Sequence, residues 1–152
     1  MPWKTWLRHS PACRSLILAL MKSLIESYYA TFNQGDREAL LGLLADDVVH
    51  EINQGGIETG KDAFRAFLQR MDHCYRETVE DLVVFVSDDP SRAAAEFFIR
   101  GEYLATDEGL PEANGQKYHL RVGAFFEIRE GKIARVSNYY NLAAWLGMVG
   151  AR

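Results

Sequence analysis

Apolar residues recur at helical spacing early in the chain and at strand spacing later, and that change of period sets the expected architecture. Ile17, Met21, Leu24, Tyr28 and Phe32, with Leu20 and Ile25 beside them, predict one long amphipathic helix. Asn33-Gln34-Gly35 ends it, and Asp36 is placed to cap a second helix over Arg37 to Leu44 on Ala39, Leu40, Leu43 and Leu44. DVVHEI, residues 47–52, then alternates: Val48, His50 and Ile52 share one face of a strand. Gln54-Gly55-Gly56 turns the chain, and Phe64, Phe67, Leu68 and Met71 predict a third helix starting near Gly60. Four strands follow, over Thr78 to Val86, Arg92 to Ala105, Lys117 to Arg129 and Ile133 to Asn141, and Leu142 to Met148 fits a short closing helix. Helices gathered ahead of hairpin-linked strands predict an α+β domain.

At 152 residues the chain is the size of one domain, and no linker or internal repeat divides it. Residues 1–20 are set apart as an N-terminal extension, weakly structured or the start of the first helix, with the domain proper at 21–152. Lys4, Arg8 and Arg14 ahead of Leu16 to Met21 have the flavour of a signal peptide. The apolar run is short, however, and continues into the helix without a cleavage site; Met21 is an alternative start. The net charge of −4 argues against a nucleic-acid surface, and no stretch is long and apolar enough to span a bilayer. Cys13 and Cys74 have no metal spacing and no close pairing, which fits a reducing, cytoplasmic setting.

Three segments, YYATFNQGDREALLGLLADDVVHEI, GKDAFRAFL and GAFFEIREGKIARVSNYY, resemble the nuclear-transport-factor-2-like superfamily, to which ketosteroid isomerase, limonene epoxide hydrolase and the polyketide cyclases belong. The resemblance spans roughly residues 22 to 146 and is nearest to the ketosteroid-isomerase-related group. It implies a cone-shaped barrel: a curved, mainly antiparallel sheet wrapped around the long N-terminal helix, with two further helices and a homodimer through the sheet. It also places Tyr28 where the isomerase holds its oxyanion. Ile52 falls where the isomerase has its general base, and Ala124 where it has its second oxyanion donor. Isoleucine moves no proton, so the usual steroid isomerisation is not expected. Arg100, Glu102 and Arg121 offer the residue types of the epoxide hydrolase without its register.

His50 is the first chemical candidate. A histidine at neutral pH serves as acid or base, and a buried histidine that merely fills space explains the same pattern. Tyr28 is either an oxyanion donor or a core phenol, with its neighbour Tyr29 expected to point elsewhere. Asn138 and Tyr140 continue the face of Ala134 and Val136 and are expected to line a cavity, together with Ile52, Asn53 and Phe126. Asp107, in the polar loop TDEGLPEANG, is a further candidate acid or base. Glu96, Arg100, Glu102, His119, Arg121 and Glu127 should face outward and pair across strands. No helix carries two histidines in zincin spacing, and there is no glycine-rich phosphate loop or nucleophile elbow, so no metal or cofactor is expected. The expected ligand is a small hydrophobic molecule carrying one or two oxygens. An isomerase, hydratase or cyclase-type enzyme competes with a non-catalytic carrier, and with an epoxide-hydrolase-like activity.

Overall fold

The computed structural model describes residues 10–150. Helix α1 (Pro11–Gln34) opens on Ser10, whose side chain accepts the Cys13 N–H at 3.2 Å, with Pro11 in the first turn, where its missing N–H is harmless. It closes on Gly35, held at φ 74°, while the Gly35 and Asp36 N–H groups donate to Phe32 and Thr31 carbonyls at 3.1 Å. The helix buries Met21, Ile25, Tyr28 and Tyr29. Residues 11–20 are its first turns, and none of their side chains is fully buried; Leu16 and Leu20 are 60% and 61% exposed.

Helix α2 (Arg37–Gly42) is capped by Asp36, which accepts the Ala39 N–H at 3.0 Å. It is shorter than the sequence suggests. The Leu43 carbonyl is taken by the Ile133 N–H at 2.9 Å, and Leu44 already belongs to a sheet. Strand β1 (Leu44–Ile52) turns back into β2 (Ile57–Thr59), a three-residue strand exposed throughout, whose side chains offer no alternation to read. Helix α3 (Lys61–Cys74) buries Phe64, Leu68 and Cys74. Strands β3 (Tyr75–Val86), β4 (Arg92–Tyr103), β5 (Gln116–Arg129) and β6 (Lys132–Tyr140) run antiparallel in turn, and helix α4 (Leu142–Val149) closes the end.

The sheet order is β2-β1-β6-β5-β4-β3, with β1 and β6 parallel. It is a curved, mixed, six-stranded sheet that does not close, so the expected cone is open at β2 and β3. Ala95, Phe97, Ile99 and Tyr103 of β4 and Leu120, Val122 and Phe126 of β5 share the inner sheet face and form the core. The charged residues face out, as their alternation predicts: Arg100 pairs with Glu80 at 2.6 Å, Arg121 with Glu96 at 3.0 Å and Arg92 with Glu127 at 3.3 Å.

Strand β3 has a bulge. Its register with β4 shifts between Glu80 and Val83, and Asp81 sits at φ 53°. The extra residue switches the faces. Tyr75, Glu77 and Val79 point inward before it, whereas Leu82, Val84 and Val86 do so after it, leaving Val83 and Phe85 outside. The end of α1 fastens this strand: the Asn33 side chain donates to the Val79 carbonyl at 3.0 Å and accepts the Val79 N–H at 2.8 Å.

Candidate functional site

Between α1, the inner sheet face and the closing helices α3 and α4 lies a cavity of about 220 Å³. Tyr28, Tyr29 and Phe32 of α1 and Phe67, Leu68 and Met71 of α3 form one side, and Phe97, Ile99, Leu120 and Val122 the sheet floor. Trp145 of α4 packs edge-on to Tyr103 and Tyr118 at 5.3 and 5.9 Å and closes the end. Polar groups enter this aromatic enclosure at a few places only.

One is Glu77. Across the sheet, Glu77 of β3, Gly101 of β4 and Tyr118 of β5 form one cross-strand row. Gly101 lets Tyr118 lie over its backbone: a Cβ there would fall 2.1 Å from the Tyr118 Cζ. The phenol thereby reaches two strands over and donates to Glu77 Oε1 at 2.5 Å. Burial raises the Glu77 carboxyl above the usual range, opposed by the Tyr118 hydrogen bond and the positive field of Arg37. Burial, and then the Glu77 charge, push the Tyr118 phenol up as well.

Asp107 stands at the loop edge of the cavity. Its Oδ2 accepts the Tyr75 hydroxyl at 2.9 Å; its Oδ1 accepts the Glu108 N–H at 3.0 Å and lies 3.8 Å from Arg70. Its own N–H donates to the Tyr103 hydroxyl, which in turn donates to the Pro111 carbonyl. Both carboxylate oxygens are thus engaged in holding the loop onto β3 and α3.

His50 is 2% exposed and lies between Phe64 and Phe67, with ring centroids 4.6 and 4.4 Å away. Its Nε2 is 3.3 Å from the Asn138 amide nitrogen, so the amide donates to the ring; Nδ1 is buried with no partner. Burial, aided by the Arg70 charge, lowers its pKa to about 4. The imidazole is neutral at pH 7 and stands behind Phe67 and Asn138, outside the cavity wall.

Tyr28, Ile52, Asp107, Asn138 and Tyr140 all line the cavity. Three candidates do not. His50 lies behind the wall. Phe126 is fully buried edge-on to Tyr28 and Tyr29 at 5.8 and 6.1 Å. Asn53 is exposed in the turn after β1, its N–H donating to the Asn138 carbonyl at 3.1 Å. Tyr29, expected to point elsewhere, is also buried against the cavity. Its ring stands 5.0 Å from that of Tyr28, and its hydroxyl is sealed without a partner. Burial pushes both phenols up.

Glu77 and Tyr75 escape the sequence reading because the strand is taken to begin at Thr78; Tyr118 lies inside the expected strand Lys117 to Arg129 but is not singled out there. Helix α3 passes into β3 between Cys74 and Tyr75 with no loop residue to mark the change. The available signal is Tyr75, Glu77 and Val79 at period two, with one carboxylate on an otherwise apolar face.

Among the described residues, no group of three or more His, Cys, Asp or Glu is disposed to hold a metal, and no helix is long and apolar enough to cross a membrane.

The open cone of sheet around α1, with its cavity beneath the first helix, defines the nuclear-transport-factor-2-like α+β fold. The SnoaL-like domain profile matches residues 25–136, and the chain belongs to that family. A crystal structure of a protein provisionally named a polyketide cyclase, from Pseudomonas putida, is 56% identical, with a TM-score of 0.84 over 86% of this chain and 98% of that one. Another so named, from Xanthomonas campestris, is 49% identical, with a TM-score of 0.85 over 88% and 99%. A limonene-epoxide-hydrolase-like protein of Mycobacterium tuberculosis, 14% identical, shares the fold, with a TM-score of 0.66 over 87% and 90%. No curated protein matches the chain.

Proposed function

We propose that the chain is a cofactor-independent enzyme of the isomerase, hydratase or cyclase kind, moving a proton on a small hydrophobic molecule that carries one or two oxygens. The observation that carries this reading is an aromatic-walled cavity of about 220 Å³ into which carboxylate, amide and phenol groups project. The Tyr28 and Tyr140 hydroxyls have no protein partner among the described residues, so they are free to donate to a carbonyl or its developing oxyanion. Asn138, steadied by His50, presents an amide beside them. The provisional naming of the P. putida and X. campestris relatives as polyketide cyclases supports the same class of chemistry. An epoxide-hydrolase-like activity has only the shared fold behind it.

A carrier without chemistry is the second reading, favoured by the full engagement of Asp107, which holds a loop and has no free oxygen for a ligand. Native mass spectrometry of protein taken directly from its expression host tests both. The expected result is a retained small apolar molecule that Leu120→Trp displaces and that wild-type protein converts on incubation. A ligand recovered unchanged sinks the enzyme; retention unaffected by Leu120→Trp sinks the cavity as the site.

The reading includes a homodimer. On the outer face, Phe85, Ala94 and Phe125 are cross-strand neighbours, and Phe125, 50% exposed, packs edge-on to Tyr139, 48% exposed. An apolar band of that kind suits a second copy of the chain. Phe125→Glu is expected to halve the mass seen by light scattering, and a monomeric wild type would refute it. A cytoplasmic setting rests on the free thiols of Cys13 and Cys74.

A further inference from the structure

The carboxylate set into the cavity floor has a role that the candidates read from sequence do not cover. Glu77 Oε1 is held by Tyr118, while Oε2 has no hydrogen-bond or ion-pair partner among the described residues and stays accessible at the cavity wall. The nearby cations are committed elsewhere: Arg37 to Asp72, Arg70 to Asp107, Arg100 to Glu80. Asp107 has no free oxygen, and His50 lies behind the wall with its basicity suppressed. Of these three titratable groups, Glu77 alone combines a free basic atom with access to the enclosed space.

Resting on the proton-transfer reading above, we propose that Glu77 is the catalytic residue that moves the proton. Its Oε2 acts on a carbon next to the carbonyl of a small apolar ketone, and Tyr118 is the positioning residue that fixes the carboxylate. In the forward step Oε2 takes the proton. The C–H electron pair becomes the enolate double bond, and the carbonyl π pair moves onto oxygen, where the Tyr28 or Tyr140 hydroxyl donates to it. In the return step the protonated Glu77 gives the proton back to the same carbon, or to a conjugated neighbour, and the carbonyl re-forms. Charge and electrons balance without oxidant, reductant or co-substrate.

Three features suit Glu77 to this work. One oxygen is pinned, so the other has a fixed aim. The site is enclosed, so the carboxylate is poorly solvated and a stronger base than one in water. The row Glu77–Gly101–Tyr118 is built into three adjacent strands rather than a loop. The titratable groups that share its surroundings are Tyr28 on α1, Arg37 on α2, Arg70 on α3, Tyr118 on β5, Tyr140 on β6 and Asp107 in the loop. Arg37 and the Tyr118 hydrogen bond favour the charged form, and burial opposes it.

The test is exchange of the α-protons of 2-tetralone in D₂O, followed by NMR from pD 5 to 8, with wild type, Glu77→Gln and Tyr118→Phe. Ligand-induced shifts and circular dichroism report binding and folding of each variant. Wild type should exceed buffer, and Glu77→Gln should bind 2-tetralone yet lose at least about 100-fold in exchange rate. Tyr118→Phe should move the acid limb of the pD profile upward, because it removes a hydrogen bond that favours the carboxylate. A merely structural tyrosine would not shift that limb. Wild-type exchange that persists in Glu77→Gln overturns the assignment and leaves the proton-transfer reading standing. Exchange no faster than buffer in wild type overturns both. A direct ¹³C titration gives a ligand-free readout: Glu77 should titrate above ordinary glutamates, and higher still in Tyr118→Phe, and an ordinary value sinks the proposal.

Discussion

Two enclosed titratable residues, His50 buried and Glu77 half-buried at the cavity, pull the stability of this protein in opposite directions as pH changes. His50 has a folded pKa of about 4 against about 6.5 in an unfolded chain. Below pH 6.5 the unfolded state takes up a proton that the folded state refuses. Stability is therefore full above that pH and is lost as pH falls toward 4, by on the order of 3 kcal/mol. Urea unfolding at pH 7 and pH 4.5 measures this, and His50→Phe is expected to flatten the difference. Glu77 has the opposite sign. Its folded pKa is raised, so its contribution is favourable below the unfolded value and is lost as pH climbs past it. Glu77→Gln keeps an oxygen for Tyr118 and removes the poorly solvated charge. It should raise Tm at pH 7, raise it less at pH 4, and abolish exchange. A residue whose loss stabilises the fold while removing activity is retained for function. The sequence made His50 conspicuous because it interrupts a β-branched face, but alternation reports the face of a strand, not the layer behind it. The ring is inward as expected, yet Phe64 and Phe67 from α3 stand around it, and no local pattern encodes that packing.

Elements declare themselves where their ends are marked. Gly35 closes α1, Asp36 caps α2 and the Glu130–Gly131 turn joins β5 to β6, and each boundary is legible in the chain. The α3–β3 junction carries no such mark, and the residues lost there, Tyr75 and Glu77, are the ones that reach the cavity. The bulge at Asp81 hides a second fact. Straight alternation through Thr78 to Val86 would put Val79, Val83 and Phe85 on one face, but the inserted residue divides them. Strand β4 offers a sharper test of how elements build the site. Gly101→Ala would push a Cβ into the Tyr118 ring and is expected to cost about 1–3 kcal/mol. It should also detach the phenol from Glu77. Pairing it with Tyr118→Ala should recover part of the stability and none of the exchange. Full additivity of the two changes in a double-mutant cycle would show that the ring and the glycine are not in contact.

For the molecule as a whole, Met21 is the first fully buried residue among those described. Residues 11–20 extend α1 past the core, with Ile17 and Leu18 only partly buried against it. A chain starting at Met21 should fold with its cavity unchanged, losing on the order of 2 kcal/mol, or a few degrees in Tm. Loss of folding would show that the first turns of α1 are structural. The open sheet has a further consequence at β3, its long outer strand. A bare strand of that length would offer a row of unpaired amides to any neighbouring chain. Here Asn33 occupies both backbone groups of Val79, and Asp81 breaks the row directly afterwards. What remains free is two four-residue runs, Tyr75–Thr78 before the fastening and Val83–Val86 after the bulge, each too short to recruit another strand firmly. The helix that roofs the cavity and the kink that turns Glu77 and Phe85 to opposite faces thus also keep the protein from joining its own copies edge to edge. Deleting Asp81 should straighten β3 and yield a protein that aggregates on heating, seen as rising light scatter at temperatures where wild type stays clear.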